Sequence, residues 1–172
     1  MGRVQDAIAM IPPELSLSNL VCGYSTSRHL ILDLDGIDTY KTVRLVRLLQ
    51  LDYTDLGCAL VLRSSRNGRH VVFDEYVGWD RILSITDTLS ALHLLNYGYQ
   101  FLRLWRGDLT LRVSPKQGTR LAERSPRPLD LLHSRRGCCH LHGIRGYLEV
   151  LKAFSPELQS IETITYPVNP VS

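Results

Sequence analysis

Asp33 and Asp35 close a short apolar run, HLILDLD (His29–Asp35), and their spacing poses the first chemical question of the chain. In an extended strand, residues two apart point to the same face, so the two carboxylates emerge side by side. Neighbouring like charges raise each other's pKa unless a cation lies between them. Mg²⁺ or Mn²⁺ held by carboxylates meets that need and is the common apparatus of phosphoryl transfer. The plainer alternative is that one or both acids cap the helix that follows, since Asp is a good N-cap.

Three further segments carry reactive side chains. Ser64, Ser65, Arg66, Asn67 and Gly68 form a polar turn ahead of His70. Asn-Gly is a strong hairpin signal because both residues tolerate positive φ, and the turn delivers His70 onto a strand beside the acids. Gly107-Asp108 then precedes Arg112, Ser114 and Lys116 at alternate positions. In extended backbone those three share a face, and a cation, a hydroxyl and a second cation in a row suit a polyphosphate. Finally, His133, Cys138, Cys139, His140 and His142 fall within ten residues, in HSRRGCCHLH. These are zinc-ligand types, with Cys22 or Cys58 as a distant further ligand, although adjacent cysteines are not the spacing of a standard knuckle. Nothing in the spacing of the four cysteines builds a disulfide framework, so free thiols are expected.

The elements that must position these groups follow from periodicity. His29–Asp35 reads as a buried strand, with Asp38 as N-cap of a helix that carries Tyr40, Val43, Val46 and Leu49 inward and ends near 53–57. Residues 58–62 and 70–74 read as two strands joined by the Asn-Gly turn. Ile82, Ile85, Leu89, Leu92 and Leu95 space a long amphipathic helix over 79–97, closed by Gly98. Residues 99–105 and 109–113 read as strands, 129–133 as a helical turn, 144–154 as a helix and 161–166 as a terminal strand. A short helical piece is expected at 4–10, within a peripheral segment.

From 29 to 113 the order is strand, helix, strand, strand, helix, strand. This is an α+β arrangement of the ferredoxin-like, RNA-recognition-motif-like split βαβ type, with an antiparallel sheet and two helices on one face. A peripheral segment (1–28), a core (29–120) and C-terminal helices with a terminal strand packed on it (121–172) are the expected divisions. Such sheets bind RNA through aromatic side chains on their central strands. Here the first strand ends in two acids, which points to chemistry rather than base stacking.

The chain of 172 residues, 44% hydrophobic and 22% charged, has the length and composition of one globular domain with a proper core. No apolar run approaches the roughly 18 residues of a membrane span. Pro12, Pro13 and Glu14 stand where a signal peptide would need its apolar core, so a cytoplasmic protein with no membrane partner is expected. Between Arg103 and Arg145, nine arginines and Lys116 face only Asp108, Glu123 and Asp130, ten cations against three acids and a local balance of +7. Such asymmetry fits an anionic partner, because the planar guanidinium binds two phosphate oxygens at once. The competing reading is a solvated face in an Arg-biased chain, with 17 Arg to 3 Lys.

The ordered set D33-L-D35, S64-S-R-N-G-R-H70 and R112-V-S-P-K116 resembles the archaeo-eukaryotic primase superfamily of primase-polymerases over roughly residues 29–120. In that family a D-x-D and a later aspartate hold two divalent metals. A turn of the form S-G-x-x-G-x-H presents a histidine to the incoming nucleotide, and an R-x-S-x-K-like segment contacts its phosphates. The resemblance therefore implies Asp33, Asp35 and Asp108 as catalytic Mg²⁺ or Mn²⁺ ligands, with Asp74 the alternative third acid. It implies Ser64, Arg66, His70, Arg112, Ser114 and Lys116 as nucleotide-binding residues. Ser65 departs from the family's glycine. The implied partners are nucleoside triphosphates, single-stranded or primed DNA or RNA, and a replication partner protein. The implied activity is DNA-directed nucleotidyl transfer, the alternative being an inactive nucleic-acid-binding module or a nuclease using the same acids. His140 and His142 with Tyr147 also have the composition of the metal and nucleophile set of rolling-circle nucleases, with the tyrosine much nearer in the chain.

Overall fold

The computed structural model describes residues 23–115, 125–135, 138 and 141–155. The expected helix at 4–10 and terminal strand at 161–166 lie outside the described residues, as do Cys22, Lys116, Cys139 and His140. The elements are β1 (Gly23–Thr26), β2 (His29–Asp35), α1 (Thr39–Asp52), β3 (Ala59–Arg63), β4 (Gly68–Tyr76), α2 (Trp79–Ala91), α3 (Tyr97–Arg106), β5 (Leu109–Arg112), β6 (Arg127–Leu132) and α4 (His142–Lys152). The fold is α+β with antiparallel sheets.

A four-stranded sheet has the order β2-β4-β3-β6, every neighbour antiparallel. β2 and β3 thus run parallel with β4 between them, and α1 is the connection from one to the other. α1 begins where expected: Asp38 Oδ1 accepts from Lys41 N at 2.8 Å, and Tyr53 ends the helix. Leu30, Leu32 and Leu34 on one face of β2 and Ile31 on the other are all fully buried, so the sheet is covered on both sides. Successive residues of β4 show by what. Arg69 Nε donates to Thr39 Oγ1 at the start of α1, whereas His70 on the opposite face meets Tyr147 of α4.

The close approach of α4 to β4 requires Gly143. A Cβ there would stand 2.4 Å from the Phe73 carbonyl oxygen and 2.7 Å from the His29 ring. α4 therefore covers part of the face that a two-helix, one-sided packing would leave open.

Four sequence expectations are corrected. The single helix over 79–97 is two helices: α2 stops at Ala91, His93 adopts a left-handed φ of 55°, and the chain runs extended along the free edge of β2. There Asp35 N donates to Leu94 O at 3.1 Å and Asn96 N to Asp33 O at 2.8 Å. Residues 99–105 are helical, inside α3, because Asn96 caps its start and Gly107, with φ of 70°, closes its end. The aromatic content that read as strand instead forms an exposed face of Tyr97, Phe101 and Trp105, with Leu104. Residues 129–133 are not a helical turn: Arg127–Leu132 is an edge strand paired to β3, where Pro128 is tolerated.

The fourth correction concerns β5. It does not join the main sheet but pairs antiparallel with β1, Thr26 opposite Leu109 and Gly23 opposite Arg112, while lying against β2. Residues 23–26, assigned by sequence to the periphery, are thereby part of the folded unit. Among the described residues, no helix is long and apolar enough to cross a membrane.

Candidate active site

The register of β2 against β4 builds the site. Asp33 pairs with His70 and Asp35 with Gly68, so the acids, the histidine and the turn glycine share one sheet face as expected. His70 is 1% exposed and lies between two polar partners. Its Nε2 stands 3.4 Å from Asp33 Oδ1, and its Nδ1 is 3.1 Å from the Tyr147 hydroxyl. With the ring proton on Nε2 and directed at the carboxylate, the Tyr147 O–H donates to Nδ1. The Tyr147 hydroxyl also lies 3.5 Å from the Arg112 carbonyl oxygen.

Burial of Tyr147 pushes its phenol well above the ordinary value; the nearby Arg112 cation opposes that rise and Asp33 adds to it. Tyr147 is fully buried and meets Tyr24 edge-on, so it is held as a neutral strut and not displayed as a nucleophile.

Asp35 is exposed and held by Asn96, whose Nδ2 donates to Asp35 Oδ2 at 2.5 Å. The same side chain caps α3, its Oδ1 accepting from Tyr99 N at 3.1 Å. Asn96 was not foreseen among the site residues. The signal for it was a helix N-cap type just ahead of an apolar run, obscured by reading a longer helix through that position.

The Ser64–Gly68 turn closes over the end of β2. Ser64 N donates to Gly68 O at 3.2 Å, and Gly36 N to Asn67 O at 3.0 Å. A Cβ on Gly68 would stand 2.7 Å from Ser64 Oγ, 2.6 Å from Ser65 Oγ and 3.5 Å from Asp35 Oδ1. The glycine thus keeps a small notch lined by two hydroxyls and a carboxylate oxygen. Hard oxygen donors of this type suit Mg²⁺ or Mn²⁺, which one or two carboxylates hold alongside waters and phosphates. Arg66 is exposed at the tip of the turn.

Arg112 reaches this turn from β5. Its guanidinium donates to Ser64 O at 2.7 Å and to Ser114 O at 2.6 Å, tying the far end of β5 to the serine turn. Ser114 is buried. Asp108 sits at the other end of β5, one residue before Leu109, which pairs with Thr26. Its carboxylate accepts from Thr110 Oγ1 at 3.1 Å and faces Arg106 Nε at 3.8 Å. Among the described residues, neither Asp108 nor Asp74 joins Asp33 and Asp35 in a group of ligand atoms within 4.8 Å of one another. Asp74 is buried in β4.

The Cys/His cluster assembles differently from its order in the chain. Cys58, His133 and Cys138 bring their potential ligand atoms within 4.8 Å of one another, so Cys58, distant in the chain, stands beside two residues of the cluster. Cys58 and Cys138 are joined by a disulfide, which corrects the expectation of free thiols for these two. His142 lies elsewhere, stacked on Tyr76 with ring centroids 5.9 Å apart. No family model, curated protein or solved structure matches this chain.

Proposed function

We propose that the chain is a primase/polymerase-like nucleotidyltransferase that joins nucleotides on a nucleic-acid template with divalent cations. The observation that carries this reading is the convergence of Asp35, Ser64 and Ser65 on Gly68, at the end of the strand that presents Asp33. The strand–helix–strand order with β4 inserted between β2 and β3 supports a split βαβ core of the ferredoxin-like kind. The β1–β5 pair, lying off the main sheet, departs from that pattern.

Asp33 and Asp35 would hold Mg²⁺ or Mn²⁺, which when bound lowers the pKa of an attacking hydroxyl and neutralises a triphosphate. Asn96 orients Asp35, and His70 stands behind Asp33 with its Nε2–H directed at the carboxylate. The serine hydroxyls and the exposed Arg66 offer donors for phosphate oxygens. The exposed Tyr97, Phe101 and Trp105 of α3, which starts beside Asn96, have the chemistry to stack on unpaired bases. The +7 stretch from Arg103 to Arg145 would add salt-sensitive backbone binding.

A second reading, an inactive nucleic-acid-binding module on the same fold, is favoured by the placement of Asp108 away from a three-acid group. The test is incorporation of labelled nucleotides onto primed and unprimed templates with Mg²⁺ and Mn²⁺. Extension products support the first reading. Template binding without product supports the second, and template cleavage supports a nuclease.

A further inference from the structure

We infer that Cys58, His133 and Cys138 form a redox-gated site for a soft divalent cation such as Zn²⁺, closed as a disulfide and opened by reduction. The site lies at the opposite end of β3 from the serine turn, so it is separate from the acids. Its parts are set by the β3–β6 register: Ala59 pairs with Leu132, which brings the residues just outside the pair, Cys58 and His133, alongside each other. His133 Nδ1 lies 3.2 Å from Cys138 Sγ, and Ser134 N donates to Cys58 Sγ at 3.3 Å. Cys58 is fully buried, Cys138 half-buried and His133 exposed, so the site has one protected and one open side.

The backbone around it is pinned from α1. Gln50 Nε2 donates to Gly57 O at 2.8 Å and Leu132 O at 3.2 Å, and Arg47 donates to His133 O. Loss of the disulfide would therefore leave Cys58 and His133 side by side, with Cys138, whose Sγ lies 3.2 Å from His133 Nδ1, five residues along from His133. Two thiolates and an imidazole are a zinc-selective donor set, with the fourth position left to water. Tetrahedral zinc with Zn–S bonds near 2.3 Å separates two sulfurs by about 3.8 Å, a movement that side-chain rotation supplies once the S–S bond is broken.

The chemistry balances as follows. A dithiol reductant delivers two electrons and two protons and becomes a disulfide itself. The Cys58–Cys138 bond is replaced by two thiols, each of which releases its proton as the cation binds. A small-molecule disulfide oxidant reverses the sequence: it takes two electrons from the two thiolates and two protons from solvent to become a pair of thiols, the Cys58–Cys138 bond re-forms, and the cation is released.

The test uses the full chain and Co²⁺ as probe. Protein reduced with excess dithiothreitol and desalted without oxygen should give a thiolate-to-cobalt charge-transfer band at one ion per chain, and the oxidised protein none. His133→Ala should weaken Co²⁺ binding by at least about tenfold, as loss of a metal-site side chain does. In the wild type, Zn²⁺ should protect Cys58 and Cys138 from alkylation, read by peptide mapping, which does not depend on any variant folding. The inference is overturned if reduced protein shows no band, if protection falls on Cys22 or Cys139 instead, if Cys58→Ser/Cys138→Ser keeps the band, or if His133→Ala binds as tightly as wild type.

Discussion

The Tyr147 hydroxyl lies 3.1 Å from His70 Nδ1 and caps, from α4, a histidine whose other nitrogen faces Asp33. A residue on the last described helix thereby sets the orientation of a ring in the middle of the sheet. Tyr147→Phe keeps the packing but strands a buried ring nitrogen, and should cost about 1–2 kcal/mol in denaturant unfolding. The same substitution has a pH signature. The folded state holds the phenol's pKa above its unfolded value of about 10. Its stabilising contribution is complete below that value and is lost as pH rises past it. Tyr147→Phe should therefore make the alkaline fall in stability shallower, with Tyr99 and Tyr24, also raised by burial, accounting for the remainder.

His29 gives the opposite limb. Burial lowers its pKa, and the neighbouring His142 and Arg28 lower it further. Its ring lies tilted against Tyr76 with centroids 4.6 Å apart and Thr26 Oγ1 3.5 Å from Nδ1, and the buried Nε2 has no hydrogen-bond partner among the described residues. The unfolded chain therefore takes up a proton that the folded chain resists, and stability falls as pH drops below about 6.5. His29→Phe, which keeps a ring against Tyr76 but cannot titrate, should flatten that acid limb in melts recorded across the range.

Asn96 joins a helix cap to a site acid, and two substitutions separate those roles. Asn96→Asp retains the cap to Tyr99 N but places a carboxylate against Asp35. It should leave thermal stability within about 1 kcal/mol and strengthen Mn²⁺ binding if Asp35 is a ligand, because a cation between the two carboxylates relieves their repulsion. Asn96→Ala removes both contacts and should cost about 1 kcal/mol of stability. Equal Mn²⁺ affinity in wild type and both variants would separate Asn96 from the site.

Gly143 is a steric requirement of the α4 crossing. Because the Cβ of an alanine would stand 2.4 Å from a backbone carbonyl, Gly143→Ala should displace α4 and cost about 1–3 kcal/mol, read by chemical denaturation. An unchanged midpoint would contradict the close packing of α4 on β4.

Much of the sheet was legible in the sequence because its signals are local. The apolar run before Asp33 and Asp35, the Asp38 cap and the polar Ser64–Gly68 turn, which closes without the positive φ expected at Asn67 and Gly68, each determine a conformation within a few residues. The pairing of Asp33 with His70 followed from those three. What escaped depended on contacts between segments distant in the chain. The apolar spacing of α2 ran on into Leu95, and only pairing of 94–96 with the edge of β2 breaks it. The aromatics of α3 carry β-propensity that the Asn96 and Gly107 caps override. Cys58 and Cys138 stand 80 residues apart, and their meeting depends on β6 joining β3, a strand that Pro128 and its charges disguised.

The central claim is that Asp33 and Asp35 support divalent-cation-dependent nucleotidyl transfer. Primer extension and de novo dinucleotide synthesis with Mn²⁺, comparing the wild type with Asp33→Asn/Asp35→Asn, tests it most directly. The account predicts incorporation by the wild type and its loss in the double variant, with the variant folded by circular dichroism. No incorporation by the wild type, with template binding equal in both proteins, would contradict it.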